Sequence, residues 1–180
     1  MQMLFVASIT AMILLIPLIA MDFTSEVNWN GLDFLVMAMM LMGAGLTYVF
    51  IANLSSSYAY KLGVAITMLT SFLLVWVLLA VGMIGASGHP ANLLYGLVFI
   101  TLGASAFSCK FTAQGLSKSL FRTAAAQFIV PFIAIIFWQP ILMSEANLVR
   151  LLIFNSVFAL LFAGAGWLFR KSAKSLVTKV

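Results

Sequence analysis

The stretch WVLLAVGMIGASGHPANLLY, residues 76–95, closes one long apolar run and opens the next. Between the two runs lies a short turn that contains the only histidine of the chain, His89, followed directly by Pro90. Proline suits the first turn of a helix, where its missing N–H has no helical partner to lose. The stretch therefore predicts two apolar helices joined by a tight, glycine-rich turn.

The composition of the whole chain extends this pattern. Of 180 residues, 64% are hydrophobic and 7% are charged, whereas soluble domains average about a quarter charged residues. Apolar runs of roughly 20 residues match a hydrocarbon core about 30 Å thick, and in hydrocarbon the backbone is satisfied by helix formation. We expect an all-α polytopic membrane helix bundle, with one transmembrane domain over residues 1–180. The predicted transmembrane helices cover residues 3–21, 32–53, 62–86, 93–109, 123–143 and 151–169.

The charges predict the orientation of these helices. The connections that follow the second and the fourth predicted helix, together with the tail after the sixth, hold eight of the nine basic residues. All four acidic residues fall on the opposite side of the membrane. By the positive-inside rule, both termini are then cytoplasmic. The first run is interpreted as a membrane helix rather than a signal peptide, since no Lys or Arg precedes it. The eight basic residues are Lys61, Lys110, Lys118, Arg122, Arg170, Lys171, Lys174 and Lys179.

The turn before Pro90 favours a structural role over a metal site. His89 or Ser87 can cap the following helix, and Gly85 and Gly88 can adopt a left-handed conformation. A lone histidine without a second His or a Cys nearby makes a poor metal site. We therefore predict no bound metal and no cofactor. The residues assigned to the turn are Gly85, His89, Pro90 and Asn92.

The residue types argue against an enzyme. No pair of carboxylates lies inside an apolar run, no Ser-His-Asp arrangement occurs at a plausible depth, and no phosphate-binding loop is present. The single cysteine, Cys109, excludes an intrachain disulfide. Basic residues at the ends of apolar runs indicate orientation and not nucleic-acid binding. We expect a non-catalytic protein.

Neutral polar side chains are the remaining candidates for a binding site. They fall at similar depth in the cytoplasmic halves of the second to fifth runs, while Asn155 falls nearer the outer half of the sixth. Pro131 cannot donate to the carbonyl of Gln127, so a free carbonyl is expected beside that polar side chain. The predicted ligand-binding residues are Gln127, Thr47, Thr67, Ser71 and Ser105.

Several pieces of the chain between residues 29 and 137 resemble a family of small bacterial inner-membrane proteins described only as hypothetical. The most specific piece is Pro90-Ala91-Asn92-Leu93, which follows a glycine-spaced helix end. The residues before it, 86–89, depart from the acidic residues expected there in that family. The resemblance implies a multi-pass architecture in a bacterial inner membrane and no particular activity. The other matching pieces are residues 32–34, 43–46, 74–85, 115–121 and 123–127.

Two classes of function stay open at this point. The first is a protein that binds or passes a small neutral or hydrophobic molecule, using the neutral polar side chains. The second is a non-catalytic interaction subunit or assembly factor of a larger membrane complex. The expected partners are the lipid bilayer and either another membrane protein or a second copy of the chain, with no nucleic acid.

Overall fold

The structure, a computed structural model, describes residues 1–138 and 145–177. Regular structure in these residues is entirely helical, and six helical segments are long and apolar enough to cross a membrane. The prediction of an all-α membrane protein with six such helices is confirmed, while the cytoplasmic placement of the termini stays a prediction. The helices are α1 (Gln2–Phe23), α2 (Gly31–Ala52), α3 (Tyr58–Ala80), a 3₁₀ helix (Pro90–Tyr95) that continues into α4 (Gly96–Ser108), α5 (Ala113–Phe137) and α6 (Glu145–Val177).

The chain packs as two compact units, residues 1–53 and residues 54–180. In the first unit α1 packs against α2. Gly45 permits this approach, because a Cβ at that position would lie 2.6 Å from Cγ1 of Val6. The single domain that the sequence predicts over residues 1–180 stays a prediction.

The start of α2 is set by a capping box. The Asn30 side chain accepts hydrogen bonds from the backbone N–H groups of Leu32 and Asp33, at 2.8 Å and 3.2 Å. The Asp33 carboxylate in turn accepts from the Asn30 N–H at 2.8 Å. These bonds satisfy backbone N–H groups that have no partner within the helix at its start. The capping of α2 therefore explains the acidic residue Asp33.

In the second unit α6 packs against both α5 and α3, and α4 packs against α5. Small residues bring the helices close together. A Cβ on Gly63 would lie 3.0 Å from the Phe169 ring, and one on Gly166 would lie 3.2 Å from Cβ of Leu120. Close backbone approach at small residues is typical of helix packing in membranes.

Several helix boundaries differ from those expected from hydropathy. The third helix ends at Ala80 and not at residue 86, because Gly82 adopts a left-handed conformation with φ of 80°. The fifth begins at Ala113 and not at residue 123, capped by Thr112, whose hydroxyl accepts from the Gly115 N–H at 3.3 Å. The expected end of that helix, at 143, lies outside the described residues.

The sixth helix is also longer than expected. It runs from residue 145 to 177 and not from 151 to 169. Its 33 residues span about 50 Å at 1.5 Å per residue, more than the hydrocarbon core requires. Hydropathy detects only the part of a helix that lies in lipid. Polar helix ends such as Arg170–Lys174 are therefore assigned to the connecting segments instead of to the helix.

Candidate functional site

A buried polar cluster joins α5, α6 and the 3₁₀ helix. Gln127, Tyr95 and Asn155 have no exposed surface. The Gln127 Nε2 donates to Asn155 Oδ1 at 2.9 Å, and the Tyr95 hydroxyl donates to the same oxygen at 3.1 Å. Asn155 Nδ2 donates back to the carbonyl of Leu151 at 2.8 Å, which holds the amide in place. We call Tyr95, Gln127 and Asn155 the amide cluster.

One polar atom of the amide cluster has no partner. Gln127 Oε1 is buried and accepts no hydrogen bond from any described residue. An unsatisfied buried acceptor costs on the order of 1–3 kcal/mol. The cluster can therefore still accept one hydrogen bond, from a water molecule or from a small donor.

The other four predicted ligand-binding residues do not join this cluster by any hydrogen bond seen in the structure. Thr67 and Ser105 donate to carbonyls one turn back on their own helices, Gly63 at 2.8 Å and Thr101 at 2.6 Å. The Ser71 hydroxyl is buried without a partner among the described residues. Thr47, the last of the four, lies on α2 in the first unit and is exposed. In place of the expected layer of polar side chains, Gln127 bonds to Asn155, which also accepts from the Tyr95 hydroxyl.

Asn92 organises the turn between α3 and α4. Its Oδ1 accepts from the backbone N–H groups of Met83 and Ile84, at 3.0 Å and 2.9 Å. Its Nδ2 donates to the carbonyls of Ile84 and Ala86, at 3.3 Å and 2.8 Å. One side chain therefore satisfies several backbone groups of the turn itself, in residues 83–86.

His89 and Pro90 open the 3₁₀ helix. His89 is the N-cap residue, and its Nδ1 accepts from the Ala91 N–H at 3.2 Å, while Pro90 takes the first helical position. The left-handed glycines of the turn are Gly82 and Gly85, with φ of 80° and 69°. The expectation for Gly85 agrees with this geometry, whereas Gly88 does not take a left-handed conformation.

The turn between α4 and α5 is only four residues long and carries backbone strain. Lys110 and Phe111 are both left-handed, with φ of 49° and 57°. The Tyr60 hydroxyl on α3 donates to the Phe111 carbonyl at 2.7 Å and fixes the turn. Nothing in the sequence signals these conformations, since neither residue is Gly or Asn.

Two cavities lie beside this turn, at the end of the second unit that the charges predict to be cytoplasmic. The larger, of about 640 Å³, is lined by residues of α5 and α6 that include Lys118 and Arg170. The smaller, of about 320 Å³, lies between α4 and α5 and is lined by Lys118 and Arg122. Sequence reasoning used these basic residues for orientation alone and missed that they line cavities.

No three His, Cys, Asp or Glu side chains come together within residues 1–138 and 145–177 in a way that could hold a metal ion. Comparison of the chain with protein-family models, with curated proteins and with solved structures finds no match. The functional proposal therefore rests on the geometry and on the sequence itself.

Proposed function

We propose that this chain is a non-catalytic multi-pass protein of a bacterial inner membrane that acts as an interaction subunit or assembly factor of a larger membrane complex. The observation that carries the proposal is the state of Gln127, which is fully buried and bonded to Asn155. A passage for a small molecule needs polar side chains along an open path, whereas the Thr67 and Ser105 hydroxyls are paired within their own helices.

The α1–α2 unit supports the same proposal. Few residues in the apolar windows of α1 and α2 are buried, 11% and 6% respectively, so this unit taken by itself presents apolar side chains that lipid or other helices can cover. The resemblance to small bacterial inner-membrane proteins supports the location. An interaction protein needs such a surface and no reactive side chain.

Photo-crosslinking in the membrane of living cells tests the proposal with a matched pair of methionines on α2. Met39 is 59% exposed, whereas Met37 is 9% exposed. A crosslinking amino acid at residue 39 should give one discrete protein adduct, identified by mass spectrometry and reproduced from the partner side. The same residue at position 37 should give no such adduct.

A second site on α1, Leu15, which is 48% exposed, extends the test to the other helix of the unit. An adduct of twice the mass of the chain would identify the partner as a second copy. Only diffuse lipid adducts at both exposed sites, or equal adducts at positions 37 and 39, would contradict the proposal.

The unpaired oxygen of Gln127 favours a second candidate function, the binding or passage of a small neutral molecule. A small donor such as glycerol or urea could supply the missing hydrogen bond to Gln127 Oε1. Spheroplasts that produce the protein should then swell faster in these solutes than spheroplasts without it, and Gln127→Leu should abolish the difference. Equal swelling rates with and without the protein would exclude this candidate for those solutes.

A further inference from the structure

A groove of about 640 Å³ runs between the first half of α5 and the last third of α6. Gly166 brings the two helices together just beside it, since a Cβ there would lie 3.3 Å from the Ser117 carbonyl oxygen. The groove is open on one side and is therefore accessible to a ligand. We call it the basic groove; its lining includes Gln114, Ser117, Lys118, Phe121, Arg170 and Lys174.

The basic groove brings several positive charges together. Three of its described lining residues are cationic, and none of these described residues is acidic. Lys118 also lines the neighbouring cavity of about 320 Å³, which adds the cation Arg122. In the second unit the only acidic residue is Glu145, at the opposite end of α6. The first turns of α5 add the positive end of a helix dipole on the same side.

The residues beside the groove are of the types found at the depth of lipid headgroups. On the same stretch of α6, Lys171 Nζ lies 5.7 Å from the centre of the Trp167 ring, which is itself 57% exposed. Tryptophan next to lysine is typical of the membrane–water interface. The Phe121 ring, 41% exposed, gives the groove an apolar wall below its cations.

We propose that the basic groove binds the phosphate-bearing headgroup of an anionic phospholipid. Lys118 and Arg170 would donate to the phosphate oxygens, and Phe121 would contact the upper part of an acyl chain. Basic pockets between membrane helices on the cytoplasmic side recognise anionic headgroups in this way. The proposal does not depend on the proposed function, because a lipid can occupy the groove whatever partner the rest of the surface binds.

The test uses the full chain purified in detergent and compares three probes: phosphatidylglycerol, phosphatidylcholine with the same acyl chains, and inorganic phosphate. Native mass spectrometry should show phosphatidylglycerol retained at one equivalent, with phosphatidylcholine and phosphate retained far less. This comparison needs no altered protein, so it remains decisive even where a variant fails to fold.

Variants then locate the site. Lys118→Gln and Arg170→Gln should each weaken phosphatidylglycerol binding by about tenfold, the effect of losing one charge-assisted hydrogen bond. Lys118→Arg should retain binding. The matched control is Lys171→Gln, which removes the same charge next to Arg170 from a side chain that contacts Trp167 and does not line the groove.

Three results would overturn the proposal. Equal retention of both lipids would show that charge is not recognised. An equal loss of binding in Lys171→Gln would show a diffuse effect of net charge and no defined site. Binding of inorganic phosphate as tight as that of phosphatidylglycerol would assign the groove to a soluble phosphate compound instead of a lipid.

Discussion

At the scale of single residues, Asn155 makes more side-chain hydrogen bonds than the other two residues of the amide cluster. Its Oδ1 accepts from both Gln127 and Tyr95. Asn155→Leu would leave both donors buried without an acceptor, and each unsatisfied group costs about 1–3 kcal/mol. We expect the free energy of unfolding in mixed micelles, measured by denaturant titration, to fall by about 2–5 kcal/mol.

Gln127→Leu is the matched comparison for that measurement. It removes an oxygen that has no partner and leaves Asn155 Oδ1 bonded to Tyr95. Interhelical hydrogen bonds in membranes average about 0.6 kcal/mol, so the expected loss is below about 1 kcal/mol. A Gln127→Leu variant that is less stable than Asn155→Leu would show that the shared acceptor is not the centre of the cluster.

At the scale of elements, the turn between α3 and α4 depends on Gly82. Its φ is 80°, and a Cβ there would lie 2.6 Å from the carbonyl carbon of Ala86. A left-handed conformation costs about 1–2 kcal/mol for other residues, and a contact with backbone cannot relax as a side chain can. Gly82→Ala should therefore lower the free energy of unfolding by about 2 kcal/mol or more, measured in the same micelles.

Gly88 provides the control for this substitution within the same turn. Nothing lies within 4 Å of the position that its Cβ would occupy, and its φ is not in the left-handed region. Gly88→Ala should change stability by less than about 0.5 kcal/mol. If both substitutions cost the same, the turn would tolerate a rearrangement and Gly82 would not determine where α3 ends.

At the scale of the whole molecule, the testable property is orientation across the membrane. Lys and Arg accumulate in the α4–α5 turn, in the first turns of α5 and at the end of α6, and such residues stay on the cytoplasmic side. A reporter active only in the cytoplasm should be active when fused after Val180 and inactive when inserted at Gly88. A reporter that is active at Gly88 and inactive after Val180 would reverse the orientation.

The helix boundaries explain why sequence reasoning missed the amide cluster. With the predicted segments 123–143 and 151–169, Gln127 and Asn155 each lie four residues from the start of their helix, at opposite faces of the membrane. In the structure, Gln127 lies ten residues before the end of α5 at Phe137, and Asn155 lies ten residues after the start of α6 at Glu145. The two side chains are thus at the same depth on adjacent helices.

The sequence by itself determined the all-helical class, the six membrane-length helices and the start of a helix at Pro90, with the cap left open between Ser87 and His89. These are local properties: hydrocarbon requires each long apolar run to bond its own backbone, and a cap acts within a few residues. Only the tertiary structure decided that Gln127 pairs with Asn155 and that Lys118 and Arg170 line one groove. Such contacts join residues 28 and 52 positions apart, and they depend on which faces of α5 and α6 pack together, which hydropathy does not encode.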